Sequence, residues 1–212
     1  MVFSTLKEWE IIFVDNGSLD GSDVVLTNLT KNIENFKILT IDKNIGYGHG
    51  IVSGLKAATG DIIGWTHADM QTNPKDCLRI SDLFTSNPEG SFIKGKRGKR
   101  PFLDIFFTTG MSIFESLLLK KVLFDINAQP NFFHKNFFKS LKNPPNDFSL
   151  DLFFYFYAKH KKLRIIRFPV TFSDRMFGIS HWNIDFRSKM KFIKRTVLFS
   201  LELKRLIKNA DS

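Results

Sequence analysis

Cysteine is almost absent from this sequence of 212 residues. Cys77 is the only one, so an intrachain disulfide and a cysteine metal cluster are both excluded, and a reducing compartment fits. No apolar run reaches the roughly eighteen residues that a bilayer requires, so we expect no membrane-spanning helix. The first residues also lack the basic start and long apolar run of a secretory signal, so we expect no signal peptide.

Acidic residues are fewer than basic ones, which gives a net charge of +10. This excess suggests an anionic partner, such as a nucleotide, a phospholipid surface or a nucleic acid. A coding bias towards lysine would explain the charge equally well. No recognised nucleic-acid motif is present, and aromatic residues do not alternate with basic ones, so no nucleic-acid partner is expected.

The first half of the chain alternates apolar segments with helical patterns. The expected elements are a strand at residues 9–14, a helix at 22–34, a strand at 36–41, a helix ending at residue 58 and a strand at 62–65. Because strands and helices alternate over so few residues, we predict an α/β fold whose sheet is built from parallel strands with right-handed crossovers.

The second half has longer and more apolar patterns, without internal repeats. The expected elements are a helix at 74–84 capped by Asn73, a strand at 91–94, a helical segment at 101–124, a short segment at 132–141, a helix at 146–160, a strand at 163–172 and a basic helix at 187–208. Pro169 favours an edge position for the late strand. We therefore expect one domain over residues 1–183 and a basic amphipathic helix over 184–212.

The polar segment 66–71 follows the apolar strand at 62–65. It carries one carboxylate, Asp69, with Gln71 two positions later. Open α/β sheets bind ligands just beyond the carboxyl ends of their strands, so Asp69 is a candidate site residue. An aspartate that only starts a turn is the simpler alternative.

A glycine-rich loop precedes the second predicted helix. Gly46, Gly48 and Gly50 would let the backbone approach a nucleotide, with the helix N-terminus favouring phosphate. Their spacing matches neither the dinucleotide fingerprint nor the P-loop. A tight turn explains these glycines equally well.

Basic and apolar segments follow one another after residue 93. Five of the seven residues 94–100 are basic, as in a solvated loop or a phosphate site. The apolar segment 101–124 suits either the core or an interfacial helix on a membrane. In the tail, Met190, Ile193, Val197 and Leu201 form a stripe that suits either core packing or an anionic membrane surface.

Taken together, these motifs resemble family 2 glycosyltransferases of the GT-A fold. Segments 10–22, 44–50 and 58–63 are similar to the nucleotide-binding half of that family, and 66–71 stands where the family carries its Asp-Ala-Asp-x-Gln metal site. Segments 95–97, 125–130, 148–152 and 172–180 are most similar to polyprenyl-phosphate sugar synthases of the dolichol-phosphate mannose synthase type. The resemblance covers residues 9–183 and implies a three-layer sandwich around a mostly parallel nucleotide-binding sheet.

The sequence departs from the family pattern in two places. His67 stands where the first aspartate of the metal motif is expected, and histidine suits Mn²⁺ better than Mg²⁺. The family also begins with a strand ending in Pro-x-Tyr-Asn-Glu, whereas only eight residues precede Trp9 here. We therefore expect this first strand to be missing, which would make the chain either a fragment or a degenerate member.

The resemblance implies sugar transfer from a nucleotide diphosphate sugar with inversion at the anomeric carbon. The implied catalytic residues are Asp69, Asp151 and Arg97, and a Mg²⁺ or Mn²⁺ ion would be held by Asp69, Gln71 and His67. The UDP- or GDP-sugar would be bound by Asp15, Asn16, Asn44, Gly46, Gly48, His67 and Gln71. The acceptor would be bound by Arg97, Arg100, Gln129, Arg175 and Ser180.

The acceptor class decides whether a general base is needed. A polyprenyl phosphate is already anionic near neutral pH, because its second pKa is about 6. A sugar hydroxyl would need a base, for which Asp151 is the candidate. A lipid acceptor implies a peripheral protein on the cytoplasmic face of the membrane, and a homo-oligomer or a membrane subunit is left open.

Three alternatives compete with this hypothesis. The chain could be a non-catalytic relative that keeps the sheet but has lost the donor pocket. It could be a nucleic-acid-binding module, which its charge alone favours. It could also be a peripheral membrane protein without enzymatic activity. Binding of a nucleotide sugar separates the first of these from an enzyme.

Overall fold

The computed structural model of the protein describes residues 9–69, 71–84, 87–98, 102–171 and 186–210. Its first half has the predicted order of elements: β1 (Ile11–Asp15), α1 (Ser22–Thr30), β2 (Phe36–Thr40), α2 (Tyr47–Ala57) and β3 (Ile62–Trp65). β1 and β2 pair in parallel, with Ile11 opposite Phe36 and Asp15 opposite Thr40. The predicted α/β fold is confirmed.

The second half adds three strands, which form a four-stranded sheet together with β3. Its further elements are α3 (Ile80–Leu83), β4 (Ser91–Arg97), α4 (Phe102–Leu119), β5 (Asn131–His134), α5 (Lys135–Lys139), α6 (Leu150–His160), β6 (Arg164–Val170) and α7 (Phe186–Ala210). The strand order is β3-β5-β4-β6. β4 and β6 are parallel, whereas β5 is antiparallel to both β3 and β4. β6 lies at the edge of the sheet, as Pro169 predicted.

Several elements differ from the sequence prediction. The segment predicted as one helix at 74–84 is a 3-10 helix, Pro74–Arg79, followed by α3. The Asn73 side chain accepts from the Lys75 N–H at 3.0 Å, so the predicted cap is confirmed. β5 was not predicted as a strand. It has only four residues and runs directly into α5, whose N-terminus the His134 side chain caps.

The main core lies between the larger sheet and α6. Phe133 on β5 is stacked between Phe92 on β4 and Phe154 on α6, at ring-centroid distances of 5.5 and 5.2 Å. Residues 150–156 of α6 are all buried. Many of the phenylalanines thus pack in this aromatic core. Because α6 is buried, the Asp151 carboxylate also lies in the protein interior.

The basic C-terminal helix α7 packs against α4. Ser200 and Leu203 of α7 are fully buried, while Ile193 and Val197 of the predicted stripe are half-buried and Met190 and Leu201 are exposed. The stripe thus lies at the border of the buried face, and its two predicted roles, core packing and membrane contact, stay open. Among the described residues, no helix combines the length and the apolarity needed to span a bilayer.

Candidate active site

The loop after β3 brings the predicted metal residues together. Asp69 Oδ1 accepts from the Gln71 backbone N–H at 3.1 Å, so Asp69 does form the expected turn. Its other oxygen, Oδ2, lies 3.7 Å from Nδ1 of His67. His67 and Asp69 therefore face each other, while the contact from Gln71 to Asp69 comes from its backbone.

Tyr47, which was not predicted as a site residue, is the hub of the site. Its hydroxyl lies 2.9 Å from Asp151 Oδ2, 2.6 Å from Gln129 Nε2 and 3.0 Å from His67 Nε2. Its ring stacks on Phe148 with a centroid distance of 4.5 Å. Tyr47 thus joins the first turn of α2, the loop after β3, the start of α6 and the turn before β5. Its position inside the glycine-rich loop was the only sequence signal that could have identified it.

Behind Tyr47 lies a buried polar layer. Lys94 on β4 is completely buried and donates to Ala128 O at 2.8 Å and to Asn131 Oδ1 at 2.9 Å. The Asn131 amide nitrogen lies 3.4 Å from Asp151 Oδ1. Lys94 was counted with the basic loop, but the structure places it in the interior, where α6 covers it with the Tyr155 ring at 5.3 Å from Nζ.

Burial dominates the electrostatics of this layer. It lowers the pKa of Lys94 to about 7, although Asp151 and Asp125 act in the opposite direction. It raises the pKa of the Asp151 carboxyl, against the attraction of Lys94 and His67. Burial also raises the pKa of Tyr47 well above its usual value, with the Asp151 carboxylate as a second cause. The Tyr47 hydroxyl therefore keeps its proton near neutral pH.

A second charged cluster surrounds Asp125. Arg97 donates from Nε to Asp125 Oδ1 at 2.7 Å and from its backbone N–H to Oδ2 at 3.0 Å. Arg167 on β6 lies 3.3 Å from Asp125 Oδ2 and was not predicted. Arg97 is thus held in an ion pair, and its contact with an acceptor phosphate stays a prediction. Three predicted acceptor residues lie outside the described residues: Arg100, Arg175 and Ser180.

Four of the predicted nucleotide residues, Asp15, Asn16, Asn44 and Gly46, lie in the loops where β1 and β2 end. Asp15 Oδ1 accepts from the Ser18 N–H at 3.0 Å. Asn16 Nδ2 lies 3.3 Å from Asn44 Oδ1 and 3.1 Å from Gly46 O. The loops after the two parallel strands are therefore joined, in the place where open sheets bind ligands.

The protein itself fills the space beside two of the glycines. A Cβ added at Gly46 would overlap Asn146 O, and one at Gly48 would overlap Pro145 O. These glycines let the loop of residues 145–147 approach α2, which is a structural reason for them. Their approach to a nucleotide stays a prediction.

The chemistry of the donor set fits a divalent cation. One imidazole nitrogen and one carboxylate oxygen face each other, and the imidazole suits Mn²⁺ better than Mg²⁺. Over the part of the chain that the structure describes, no three His, Cys, Asp or Glu side chains are grouped for a metal. The protein would thus supply two ligands, His67 and Asp69, and leave other positions for phosphate oxygens and water.

Sequence comparisons show which protein family the chain resembles. The model of the family "Glycosyl transferase family 2" matches residues 2–102. Undecaprenyl-phosphate 4-deoxy-4-formamido-L-arabinose transferase from Pectobacterium carotovorum is 36% identical over 75 residues, which are 35% of this chain and 23% of that protein. The same transferase from Photorhabdus laumondii is 29% identical over 115 residues, 54% of this chain and 34% of that protein. The matches thus span about a quarter to a third of these relatives.

Solved structures share the fold at low sequence identity. Glucosyl-3-phosphoglycerate synthase from Mycobacterium tuberculosis, in complex with Mn²⁺, UDP and glucosyl-3-phosphoglycerate, has a TM-score of 0.64 and 14% identity, covering 92% of this chain and 68% of that one. A mannosyltransferase from Pyrobaculum calidifontis, in complex with GDP-Man and Mn²⁺, has a TM-score of 0.58 and 18% identity, covering 80% and 49%. The GT-A fold and the resemblance drawn from the sequence are confirmed.

Proposed function

Residues 2–102 match the model of glycosyl transferase family 2, and from that premise we propose that this glycosyltransferase moves a sugar from a nucleotide diphosphate sugar to a polyprenyl phosphate, with inversion. The observation that carries the proposal is the pairing of His67 with Asp69 beyond β3. Through Tyr47, this pair is joined to the same loop that joins the ends of β1 and β2.

The donor is a UDP- or GDP-sugar bound across these loops. Asp15 and Asn16 lie at the end of β1, where they would contact the base and ribose, and Asn44 supports the next loop. A divalent ion on His67 and Asp69, with Gln71 beside them, would neutralise charge that develops on the diphosphate leaving group. The complexes of the structural neighbours with Mn²⁺ and UDP or GDP-Man support this donor class.

The acceptor is a lipid phosphate held near Arg97. Arg97 and Arg167 bring two guanidinium groups to the single Asp125 carboxylate, so this cluster has an excess of positive charge. We propose that Arg97 and Gln129, together with Arg100, Arg175 and Ser180, bind the acceptor. The names of the curated relatives, which are undecaprenyl-phosphate transferases, support a polyprenyl phosphate.

A phosphate acceptor requires no general base, because its second pKa of about 6 leaves it dianionic at neutral pH. A hydroxyl acceptor would require one, and Asp151 stays the prediction for that role. In the structure Asp151 is 3% exposed and already accepts from Tyr47. This burial favours the phosphate acceptor over the hydroxyl.

The transferase domain, residues 1–183, would act at an anionic membrane surface, on its cytoplasmic face. Near the end of α4, Leu117 and Val122 are each 76% exposed, with Lys120 exposed beside them. Exposed apolar side chains next to lysines suit the headgroup region of an anionic bilayer. The basic helix over 184–212 would add further attraction.

The function is tested by incubating the chain with labelled UDP- and GDP-sugars, Mn²⁺ and undecaprenyl phosphate in detergent, and detecting glycolipid by mass spectrometry. We expect product with one donor and a loss of about 100-fold or more in Asp69→Ala. Asp82→Ala, an exposed carboxylate on α3, is the matched control and should keep wild-type activity.

Equal product from wild type and Asp69→Ala would contradict the proposed metal role. If no donor gives product and no nucleotide sugar raises the melting temperature, the chain is a non-catalytic relative.

A further inference from the structure

A chain of hydrogen bonds runs from the buried Lys94 to His67, and its direction is fixed at the buried end. The Asn131 amide nitrogen faces two oxygens, Ala128 O at 3.3 Å and Asp151 Oδ1 at 3.4 Å. The Asn131 amide oxygen accepts from Lys94 Nζ at 2.9 Å, and the carbonyl oxygen of Ala128 can only accept from the amide nitrogen. Asn131 therefore donates to Asp151, and the opposite amide orientation would place oxygen against oxygen.

The next link is the Tyr47 hydroxyl, which has one proton and two lone pairs. Asp151 accepts at both oxygens, from Asn131 at Oδ1 and from Tyr47 at Oδ2, so the single Tyr47 proton lies on the 2.9 Å contact with Asp151 Oδ2. Every other contact of the hydroxyl must then be made by a donor. Gln129 Nε2 is one donor at 2.6 Å and His67 Nε2 is a second at 3.0 Å, while the Trp65 indole, which can only donate, also acts on the hydroxyl.

A neutral imidazole carries one proton. In His67 this proton lies on Nε2, because Nε2 must donate to the Tyr47 hydroxyl. Nδ1 then carries a lone pair, and it lies 3.7 Å from Asp69 Oδ2. Two acceptor atoms thus face each other, which is unfavourable unless a cation or a water lies between them. The tautomer that the protein interior imposes is the one in which Nδ1 can ligate a metal.

We propose that Tyr47 is a positioning residue that locks His67 in the Nε2–H tautomer, so that His67 Nδ1 and Asp69 Oδ2 form the protein half of a site selective for Mn²⁺ over Mg²⁺. The proposal deepens the proposed function and rests on it only for what the metal does with the donor. A ligating histidine commonly donates its other ring N–H to a fixed partner, and loss of that partner typically weakens metal binding about 10–100-fold.

The tautomer is measured directly by ¹⁵N NMR of histidine-labelled, metal-free protein near pH 8. The His67 signals are assigned by their absence from His67→Gln. We expect the Nε2–H tautomer, and we expect these signals to be the first that substoichiometric Mn²⁺ broadens. A dominant Nδ1–H tautomer in the wild type would overturn the proposal, whatever the activity of the chain.

Metal affinity is the second measurement, by Mn²⁺ electron paramagnetic resonance without nucleotide. Tyr47→Phe should weaken Mn²⁺ binding by about 10–100-fold and leave His67 in a mixture of tautomers. Tyr157→Phe on α6 is the matched control, and it should change neither quantity. His67→Asp should gain Mg²⁺ affinity relative to wild type, because it restores an oxygen ligand.

The tautomer lock and the proposed sugar transfer are contradicted by different results. Unchanged Mn²⁺ affinity in Tyr47→Phe contradicts the tautomer lock. An unchanged ratio of Mn²⁺ to Mg²⁺ affinity in His67→Asp contradicts the proposed selectivity, and in both cases sugar transfer can still be observed. An Nε2–H tautomer and Mn²⁺ binding without sugar transfer by the chain would contradict the proposed function instead. The wild-type NMR measurement requires no variant, so a folding defect in Tyr47→Phe leaves the test intact.

Discussion

Asp125 fixes the end of β4 by accepting from Arg97 three times, from Nε at 2.7 Å, from Nη2 at 2.5 Å and from the backbone N–H at 3.0 Å. Arg167 approaches the same carboxylate at 3.3 Å from β6, and also donates to Phe124 O at 2.7 Å. One buried carboxylate thus holds two arginines on adjacent parallel strands and the turn after α4. The cluster has a structural role that does not depend on any acceptor.

Asp125→Ala should therefore lower the free energy of unfolding by about 3–5 kcal/mol, since it leaves two partly buried guanidinium groups without their anion. Urea denaturation monitored by circular dichroism measures the change. Glu89→Ala removes a carboxylate that is 68% exposed and should change stability by less than about 0.5 kcal/mol. A loss below about 1 kcal/mol in Asp125→Ala would show that solvent already satisfies the two arginines.

Lys94 predicts a specific pH dependence of stability. Its pKa in the folded protein is about 7, below the value of about 10.4 in an unfolded chain, so between these values the unfolded state binds more protons. Stability contributed by this group therefore rises as pH increases from about 7 towards 10. Below pH 7 the lysine is charged in both states, and its burial is a constant cost.

The measurement is urea denaturation at several pH values, with the wild type compared with Lys94→Met. The rise between pH 7 and 10 should be present in the wild type and smaller in the variant. The difference between the two curves then reports on Lys94 together with its charge interactions with Asp151, Asp125, Arg97 and Arg167. Parallel curves for the two proteins would contradict a depressed Lys94 pKa.

The glycine loop gives a prediction that separates packing from ligand binding. Gly48→Ala places a Cβ against Pro145 O and the Asn146 backbone. We therefore expect the free energy of unfolding to fall by about 1–3 kcal/mol, because the loop over residues 145–147 is displaced. Phe148 follows that loop and stacks on Tyr47, so affinity for a nucleotide sugar should fall too.

Thermal denaturation and a nucleotide-sugar titration measure these two effects. Gly110→Ala is the control, because a Cβ there meets nothing within 4 Å. Alanine in place of glycine inside α4 should raise the free energy of unfolding by up to about 1 kcal/mol. If Gly48→Ala keeps wild-type stability and loses only nucleotide affinity, the glycine serves the ligand and not the loop.

The sequence predicted the elements whose signals are local. The alternation from β1 to β3, the Asn73 cap and the edge position of β6 each depend on a few neighbouring residues, and each is present. His67 and Asp69 were predicted as ligands of one metal ion, and the short loop that holds both brings His67 Nδ1 within 3.7 Å of Asp69 Oδ2, while their role as ligands stays a prediction.

Contacts across long sequence separations were not predicted. Tyr47 and Asp151 are separated by 104 positions, and neither periodicity nor composition indicates that their side chains meet. Lys94 belongs to a basic run, and only the packing of α6 over the sheet determines that it is buried while Lys96 is exposed. Strand β5 is too short to show a pattern of its own, and it is stabilised by pairing with β3 and β4.

Membrane contact through α4 is tested by single substitutions on its exposed apolar surface. Leu117→Asp and Val122→Asp each put a carboxylate where an anionic bilayer would meet a 76% exposed apolar side chain. Binding to vesicles rich in phosphatidylglycerol should fall by about tenfold or more in flotation assays, while stability stays within about 0.5 kcal/mol.

Leu19→Asp is the matched control, because Leu19 is 102% exposed on the turn before α1. It has the same change of side chain and charge, so it corrects for general electrostatic repulsion from the vesicles. If all three variants lose binding equally, attraction depends only on the net charge of +10 and not on insertion of α4. A selective loss in Leu117→Asp and Val122→Asp would show that the end of α4 contacts the lipid, next to the ion-paired turn that holds Arg97.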